Sequence, residues 1–454
     1  MNSFSHCRLR FLLLIFVWNS LLFLPGFSSW AAFASVYSLN LQELMEEALQ
    51  HNPDIQAARR RWESSQAIVP QVQTLPDPQM LLGYQRMPMM EPLEGPVYGF
   101  SQKFPFPGKL GIKGEVAARH ADRIEQMYYA TRLNVISRLK QHYWDLHFIH
   151  KGIEIVEKNK RLLMQFEKTA NARYSVGKTA QQDVFRAQVE LSRVLDRLAV
   201  LEQKKESLHA EINRILNRPP IGPLGTPENI HLTPIHQDLP ELAKRAEAFS
   251  PLLLASAKSV AQGEESVSLA RKEYFPDFNL SALGTRNERI NENGYQIMFG
   301  IQIPLFYQTK QREGVNQAVA DLARAREDLT ATRQELLFQV KDAFERAQRA
   351  TRLVKIVGEA IIPQATLALQ SAQAGYSVDK VDFLTLLNNL LTLQENELEL
   401  HGEMVEHEKA VARLEELTGG PLADSQDSAL PEEHGHVHPA HSPTHHESSR
   451  MERP

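Results

Sequence analysis

The chain of 454 residues repeats itself at an offset of about 200 residues, and this duplication limits the folds that it can adopt. The clearest matches, all in the same order in both copies, are Pro53 with Pro251, Pro76-Asp77 with Pro276-Asp277, and Tyr174-Ser175-Val176 with Tyr376-Ser377-Val378. Length alone would suggest about three domains. The repeat instead predicts two copies of one architecture, at residues 35–220 and 241–421, joined by a proline- and glycine-rich linker at 221–240.

Each copy contains one very long segment with helical periodicity. Residues 109–173 contain no proline, and apolar residues such as Ile124, Tyr128, Leu139 and Leu146 recur at steps of three and four. A helix of about 65 residues would be about 100 Å long. Residues 308–374 repeat the pattern. Helices of this length indicate coiled-coil packing.

Shorter helical segments flank each long one, at 53–75 and 178–217 in the first copy and at 250–275 and 381–418 in the second. Within each copy the two short segments together are about as long as the long segment. We therefore expect them to stack end to end beside it.

Four segments alternate apolar and polar residues with the period of a β-strand: 79–86, 97–104, 277–285 and 295–303. Strands of about nine residues can cross a bilayer when tilted. Four strands cannot close a membrane barrel, and open edges in lipid would leave backbone groups unsatisfied. A membrane location therefore predicts an oligomer, whereas the alternative is a small soluble sheet. Residues 87–96 and 286–294 are predicted to be surface turns.

The first 34 residues have the pattern of a secretory signal peptide. Arg8 and Arg10 precede an apolar run from Phe11 to Phe23, and Ala32-Phe33-Ala34 resembles a cleavage site. A signal anchor is the alternative. The single cysteine, Cys7, precedes the apolar run, so it is not the acylated cysteine of a lipoprotein.

Composition excludes several classes of protein. The formal charge of −5 leaves no excess of Lys and Arg to bind nucleic acid. One cysteine cannot form an intramolecular disulfide or a cysteine-based metal site. The sequence has no HExxH, Walker A or Gly-x-Ser-x-Gly motif, so we expect neither an enzyme nor a bound cofactor.

Histidines supply the candidate metal ligands. Residues 422–454 are predicted to form a disordered tail, which carries His434, His436, His438, His441, His445 and His446. These imidazoles could bind divalent transition metals, or the tail could be a solvated segment without a specific role. His142, His147, His150, His401 and His407 lie on predicted helices, where ordinary packing is the main alternative to metal binding. Met87, Met89 and Met90 are possible soft ligands in a predicted loop.

Five motifs follow one another along the chain: His51-Asn52-Pro53, Leu75-Pro76-Asp77-Pro78, Ser101-Gln102-Lys103-Phe104-Pro105-Phe106-Pro107-Gly108-Lys109, Arg173-Tyr174-Ser175-Val176-Gly177 and Gly375-Tyr376-Ser377-Val378. This ordered set resembles the TolC-type outer-membrane efflux family over residues 38–421. The third motif looks most like members that serve heavy-metal resistance pumps.

This resemblance implies a mainly helical fold with a small β part, which trimerises into a 12-stranded outer-membrane barrel and a periplasmic helical tunnel. It implies a passive channel that works with a periplasmic adaptor and an inner-membrane pump of the resistance-nodulation-division type. The hairpin tips would contact the adaptor, through Tyr174, Ser175, Val176 and Gly177 and through Tyr376, Ser377, Val378 and Asp379. Heavy-metal cations are the expected cargo, with drugs or proteins as the alternative.

Acidic residues early in the last helix line the periplasmic constriction in this family, and the sequence departs from that pattern. The aligned positions are Thr385 and Asn388, and the nearby carboxylates are Asp183, Asp379 and Asp382. We expect these carboxylates to favour cations. An alternative of another class is a soluble periplasmic coiled-coil adaptor or metal-binding scaffold.

Overall fold

The computed structural model of the chain describes residues 38–87 and 93–422. The predicted signal peptide, Met89 and Met90, and the six histidines of the predicted tail lie outside the described residues, so those predictions stay untested.

The first half of the chain contains four helices and three strands. These are β1 (Ser38–Leu39), α1 (Leu41–His51), α2 (Pro53–Gln73), β2 (Gln79–Met87), β3 (Leu93–Phe104), α3 (Lys109–Ser175) and α4 (Gln181–Ile215). The break between α1 and α2 is encoded locally. Asn52 Oδ1 accepts hydrogen bonds from the backbone amides of Asp54 and Ile55, and Pro53 occupies the first helical position.

The second half follows the same order. It contains α5 (Leu239–Phe249), α6 (Pro251–Lys272), β5 (Asp277–Asn287), β6 (Glu292–Gln302), α7 (Gln311–Ile356), α8 (Ile362–Ser377) and α9 (Phe383–Leu417). A short strand in the linker, β4 (Thr226–Pro227), pairs in parallel with β1.

The long helix of the second half is interrupted, unlike the expected continuous segment at 308–374. A π-helical turn at Val357–Ile361 separates α7 from α8. Pro363 follows this turn, and its ring nitrogen has no proton for the carbonyl four residues earlier. The wider turn lets the helix continue past the proline, and α3 has no such turn.

The long helix α3 packs against α2 and α4 from its own half and against α6 and α9 from the other. At 67 residues it is about 100 Å long. The short helices of the first half meet end to end, because Asn52 Nδ2 at the start of α2 donates to the carbonyl of Ile215 at the end of α4 (2.8 Å). The predicted stacking of the short helices is therefore present in this half.

A four-stranded antiparallel sheet has the order β2-β3-β5-β6, so β2 and β6 are its edges. The register pairs Asn287 with Glu292, which leaves a turn of only four residues between β5 and β6. The predicted loop at 286–294 was therefore too long, because both strands continue beyond the segment in which apolar and polar residues alternate.

One face of the sheet is apolar and exposed. Paired residues place Leu82 beside Tyr98, Phe100 beside Ala282, and Ala282 beside Ile297. The other face carries mainly small and polar residues, including Ser101 opposite Ser281. Exposure on the apolar face reaches 78% for Met80 and 90% for Tyr295. This sheet buries neither face within the chain.

A charged and aromatic junction joins the sheet to the helices. Gly108 precedes α3 with a φ of 89°, a conformation that side chains disfavour. Lys109 is 3% exposed, and its ammonium group donates to Asp277 Oδ1 (2.9 Å) and to the carbonyl of Phe275 (3.2 Å). Phe106 stacks on Phe275 with ring centroids 4.5 Å apart. The junction therefore links the start of α3 to the start of β5.

Buried apolar residues form three clusters along the helices, each between elements that are close in the fold. One lies among α3, α4, α8 and α9, a second among α1, α3 and the end of α4, and a third among α5, α7 and the end of α9.

Within the described residues, the helical stretch Gln311–Ser377 is long and apolar enough to cross a membrane, but only 11% of its most apolar part is buried. Much apolar helix surface therefore stays uncovered in the single chain.

Candidate functional site at the helical hairpin tips

The two hairpin tips have the same backbone geometry. Gly177 and Asp379 both adopt positive φ, at 73° and 61°. The amide of Lys178 donates to the carbonyl of Arg173, and the amide of Lys380 donates to the carbonyl of Gly375, each at 2.9 Å. The tips at 174–178 and 376–380 are therefore equivalent turns in the two halves.

Arg173 connects the two tips through three contacts. Its Nη1 donates to the carbonyl of Tyr376 (2.6 Å), its guanidinium lies 4.7 Å from the centre of the Tyr376 ring, and it forms an ion pair with Asp379. The Arg173 side chain is only 15% exposed. We call Arg173, Tyr376 and Asp379 the tip latch.

The sequence analysis missed Arg173, although the repeat contained a signal for it. When the two tips are aligned, Arg173 corresponds to Gly375, and Asp379 corresponds to Gly177. The two tips therefore differ by one positive and one negative residue, and the structure brings these two residues into contact.

The predicted adaptor-contacting residues divide by exposure. Tyr174, Val176 and Val378 are 42%, 67% and 59% exposed. Tyr376 is only 5% exposed and packs edge-on against Phe383 at 5.8 Å between ring centroids. Its ring therefore belongs to the core beneath the tip, although its neighbours in sequence are accessible.

Both predicted tip serines, Ser175 and Ser377, are also accessible. Their hydroxyls donate to the carbonyls of Ala172 and Ala374, which closes the last helical turn of each hairpin. The surface that the tips offer to a partner therefore combines exposed apolar side chains with the exposed charges of Lys178, Asp379 and Lys380.

The candidate constriction residues lie at the starts of α4 and α9. Asp183 accepts a hydrogen bond from the Thr179 hydroxyl (2.5 Å). Asp382 caps α9 by accepting from the amide of Thr385, and the Thr385 side chain lowers the pKa of Asp382 by hydrogen bonding. Thr385 and Asn388 are exposed. Asp183 and Asp382 thus form no ion pair in the described residues, although the charge of Arg186 also lowers the pKa of Asp382, whereas Asp379 is paired with Arg173.

The histidines that the sequence placed on helices take different roles. His407 is buried, with Nε2 2.9 Å from the carbonyl of Thr233 and Nδ1 3.0 Å from the Thr351 hydroxyl, so it ties α9 to the linker and to α7. His147 Nδ1 lies 2.9 Å from the carbonyl of Glu228. Burial lowers the pKa of His147 to about 4, so this ring is neutral at physiological pH.

The sequence profile described as "Outer membrane efflux protein" matches residues 44–218 and again 242–420. The chain belongs to the outer membrane efflux protein family. It is therefore an outer-membrane efflux channel rather than an enzyme, and the alternative of a soluble adaptor or scaffold is wrong. The resemblance that the sequence motifs predicted is confirmed.

Relatives and solved structures agree with this assignment. The chain is 19% identical to the cobalt-zinc-cadmium resistance protein CzcC of Cupriavidus metallidurans over 385 residues, which is 84% of this chain and 90% of that protein. It is 20% identical to the outer membrane protein TolC of Vibrio cholerae over 407 residues, 85% of this chain and 92% of that protein.

Two crystal structures share its fold. The outer membrane protein VceC from Vibrio cholerae superposes with a TM-score of 0.72 at 18% identity and covers 84% of this chain and 97% of that chain. The transmembrane channel CusC superposes with a TM-score of 0.73 at 15% identity and covers 84% of this chain and 92% of that chain.

Proposed function

We propose that three copies of this chain form a passive outer-membrane channel that exports heavy-metal cations. The observation that carries the proposal is the four-stranded sheet with one exposed apolar face and two unpaired edges. In lipid, the open edges of β2 and β6 would leave backbone amides and carbonyls without partners. Pairing β6 of one copy with β2 of the next satisfies both edges, and three copies give a 12-stranded barrel.

The helices support the same assembly. Because α3 is about 100 Å long and the sheet adjoins its first residue, the helices extend far from the membrane. The uncovered apolar surface on Gln311–Ser377 then packs against neighbouring copies rather than against lipid. The hairpin tips lie at the far end of this helical tunnel, in the periplasm.

The tips are the proposed docking point for a periplasmic adaptor that connects the channel to an inner-membrane pump of the resistance-nodulation-division type. Tyr174, Val176 and Val378 supply exposed apolar contacts for it. The energy for export comes from the pump. The tip latch holds the two hairpins of each copy together, and the channel opens when it separates.

Cations are the proposed cargo for two reasons. Asp183 and Asp382 carry carboxylates that form no ion pair in the described residues near the tips, and three copies would place six such groups around the tunnel. The relative CzcC is named for cobalt, zinc and cadmium resistance, which supports a metal substrate for this chain.

Disulfide crosslinking tests the assembly. Each variant, in a Cys7→Ser background, carries one introduced cysteine on β2 and one on β6. The proposal predicts dimers and trimers on non-reducing gels for those pairs of positions that face each other between neighbouring copies. Cysteine pairs placed on β2 and β5, which the β3 strand separates, serve as the control. A protein that leaves membranes in a salt wash as a monomer contradicts the channel.

Reversal potentials in planar bilayers test the carboxylates. We expect the Asp382→Asn channel to lose part of its preference for K⁺ over Cl⁻. The control is Asn388→Ala, less than two helical turns away, which removes no charge and should keep this preference. Unchanged selectivity in both variants removes Asp382 from the constriction.

Deleting the gene distinguishes the cargo: lower zinc, cobalt and cadmium tolerance supports metal export, whereas lower drug tolerance alone favours the drug channel.

A further inference from the structure

Two pairs of histidines face each other between helices near the middle of α3. His150 on α3 and His209 on α4 have ring centroids 6.4 Å apart, and His147 on α3 and His401 on α9 have centroids 6.5 Å apart. The tips and the sheet lie far from this level, because α3 extends from residue 109 to residue 175. Neither pair therefore belongs to the tips or to the sheet.

The His150–His209 pair has two ring nitrogens without partners. Nε2 of His150 and Nε2 of His209 are both buried, and neither makes a hydrogen bond within the described residues. Buried polar atoms in proteins are nearly always bonded, so two unbonded atoms of one type across one helix interface need an explanation. Burial lowers the pKa of both rings, which favours the neutral form that can donate a lone pair.

The ring spacing is compatible with a shared metal ion. A zinc–nitrogen bond is about 2.0–2.1 Å, and a ring nitrogen lies about 1.1 Å from its centroid. Two imidazoles on one ion therefore have centroids about 5 Å apart at a tetrahedral angle and about 6.4 Å apart when opposed. The observed 6.4 Å is at the wide end of this range, so the site is complete only when side-chain rotation turns both Nε2 atoms toward one point.

The groups around the pair resemble the surroundings of metal-binding histidines. Glu206 Oε2 lies 3.9 Å from Nδ1 of His209, beyond hydrogen-bond distance, whereas Nε2 is the ring nitrogen without a partner. If this carboxylate closes on Nδ1 when metal binds, it favours the Nδ1–H tautomer and leaves Nε2 free to bind the ion. Lys205 is nearby, but its charge is compensated by Glu202 at 2.5 Å and by Glu206 at 3.9 Å.

We propose that His150 and His209 bind a divalent transition-metal ion, such as Zn(II), Ni(II) or Cu(II), between α3 and α4. No group of three or more His, Cys, Asp or Glu in residues 38–87 and 93–422 surrounds one point, so the protein supplies two nitrogen ligands and water completes the coordination. The ion braces the two helices of the first hairpin. This site is separate from the tip carboxylates and from the predicted tail.

Zinc titration of the full-length protein, purified from membranes in detergent, tests the proposal. The background variant has asparagine at His434, His436, His438, His441, His445 and His446, so that the tail does not obscure the result. We expect His150→Asn and His209→Asn each to bind one zinc fewer per chain than this background, and to lose the zinc-induced rise in melting temperature. Magnesium should produce no rise.

His142→Asn is the matched control, because His142 is also on α3, is partly buried, and has an unpartnered ring nitrogen but no paired histidine ring. It should retain the full zinc stoichiometry. Equal zinc binding in all three variants overturns the proposal, as does equal loss in all three. If either test variant does not assemble, Glu206→Gln decides: about tenfold weaker zinc binding supports the site, and unchanged binding contradicts it.

Discussion

Replacing Arg173 with alanine should open the channel, because this one side chain makes the three contacts by which the tip latch joins the two tips. The hydrogen bond to the Tyr376 carbonyl involves a charged donor and contributes about 1.5–3 kcal/mol. The guanidinium over the Tyr376 ring adds about 0.5–2 kcal/mol. The ion pair with Asp379, whose side chain is 58% exposed, adds about 0.2–1 kcal/mol.

These contacts share one side chain and do not add fully, so we take about 3 kcal/mol for the latch. If the latch separates when the tips open, Arg173→Ala raises the opening equilibrium constant of each copy by about 100-fold. Arg173→Lys keeps the charge but loses the planar stacking, so its effect should be intermediate. Asp379→Asn removes the weakest contact and should change opening by less than about tenfold.

Open probability of the purified protein in planar bilayers measures the effect. Arg161→Ala, at an exposed position on the same helix, is the control and should match the wild type. The reasoning is refuted if Arg173→Ala keeps the wild-type open probability with an unchanged melting temperature. It is also refuted if Asp379→Asn opens the channel as much as Arg173→Ala, because the ion pair would then be the main contact.

Three further changes probe other parts of the molecule. Lys109→Met should lower the unfolding free energy by about 3 kcal/mol, because Asp277 loses its buried ion pair and keeps only the more exposed Lys103 and the amide of Phe106 as partners. Thermal unfolding measures this loss, and Lys113→Met on the next helical turn should have little effect. The pKa of His147 falls from 6.5 to about 4 in the folded protein, so its stabilising effect is complete above pH 6.5 and is lost as the pH falls toward 4. Urea unfolding should therefore show about 2 kcal/mol less stability at pH 5 than at pH 7 from this group, and an unchanged pH dependence in His147→Asn would contradict the assignment. Deleting residues 423–454 should leave conductance unchanged, since the family match ends at residue 420. The same deletion should remove zinc binding by the tail. Equal zinc binding with and without the tail would leave its histidines without a metal role.

The sequence predicted the helices and strands well because their signals are local. A long run without proline specifies α3, and the Asn52-Pro53 and Ser250-Pro251 pairs mark the starts of α2 and α6. The π-helical turn before Pro363 was not predicted, because helical periodicity continues through it. The strands were longer than predicted, since backbone pairing can extend past the residues that alternate.

The contacts within the site were harder to predict because they join residues about 200 positions apart. Periodicity places Arg173 and Asp379 at the ends of two different hairpins, but it does not say that these ends touch. The same holds for His150 and His209, which are 59 residues apart along one hairpin and meet only when the register of α3 against α4 is known. Pattern analysis finds elements, whereas these pairs depend on packing.

The tip latch also shows how a duplicated chain can distinguish its two halves. The turns are identical in backbone, so a symmetric chain would give each tip the same side chains and no preferred partner. Arginine in the first tip and aspartate in the second make unlike tips complementary. Exchanging the two charges would not restore the latch, because an aspartate at position 173 cannot donate to the Tyr376 carbonyl or stack on its ring. The asymmetry therefore depends mainly on the shape and donors of Arg173, and only secondarily on its charge.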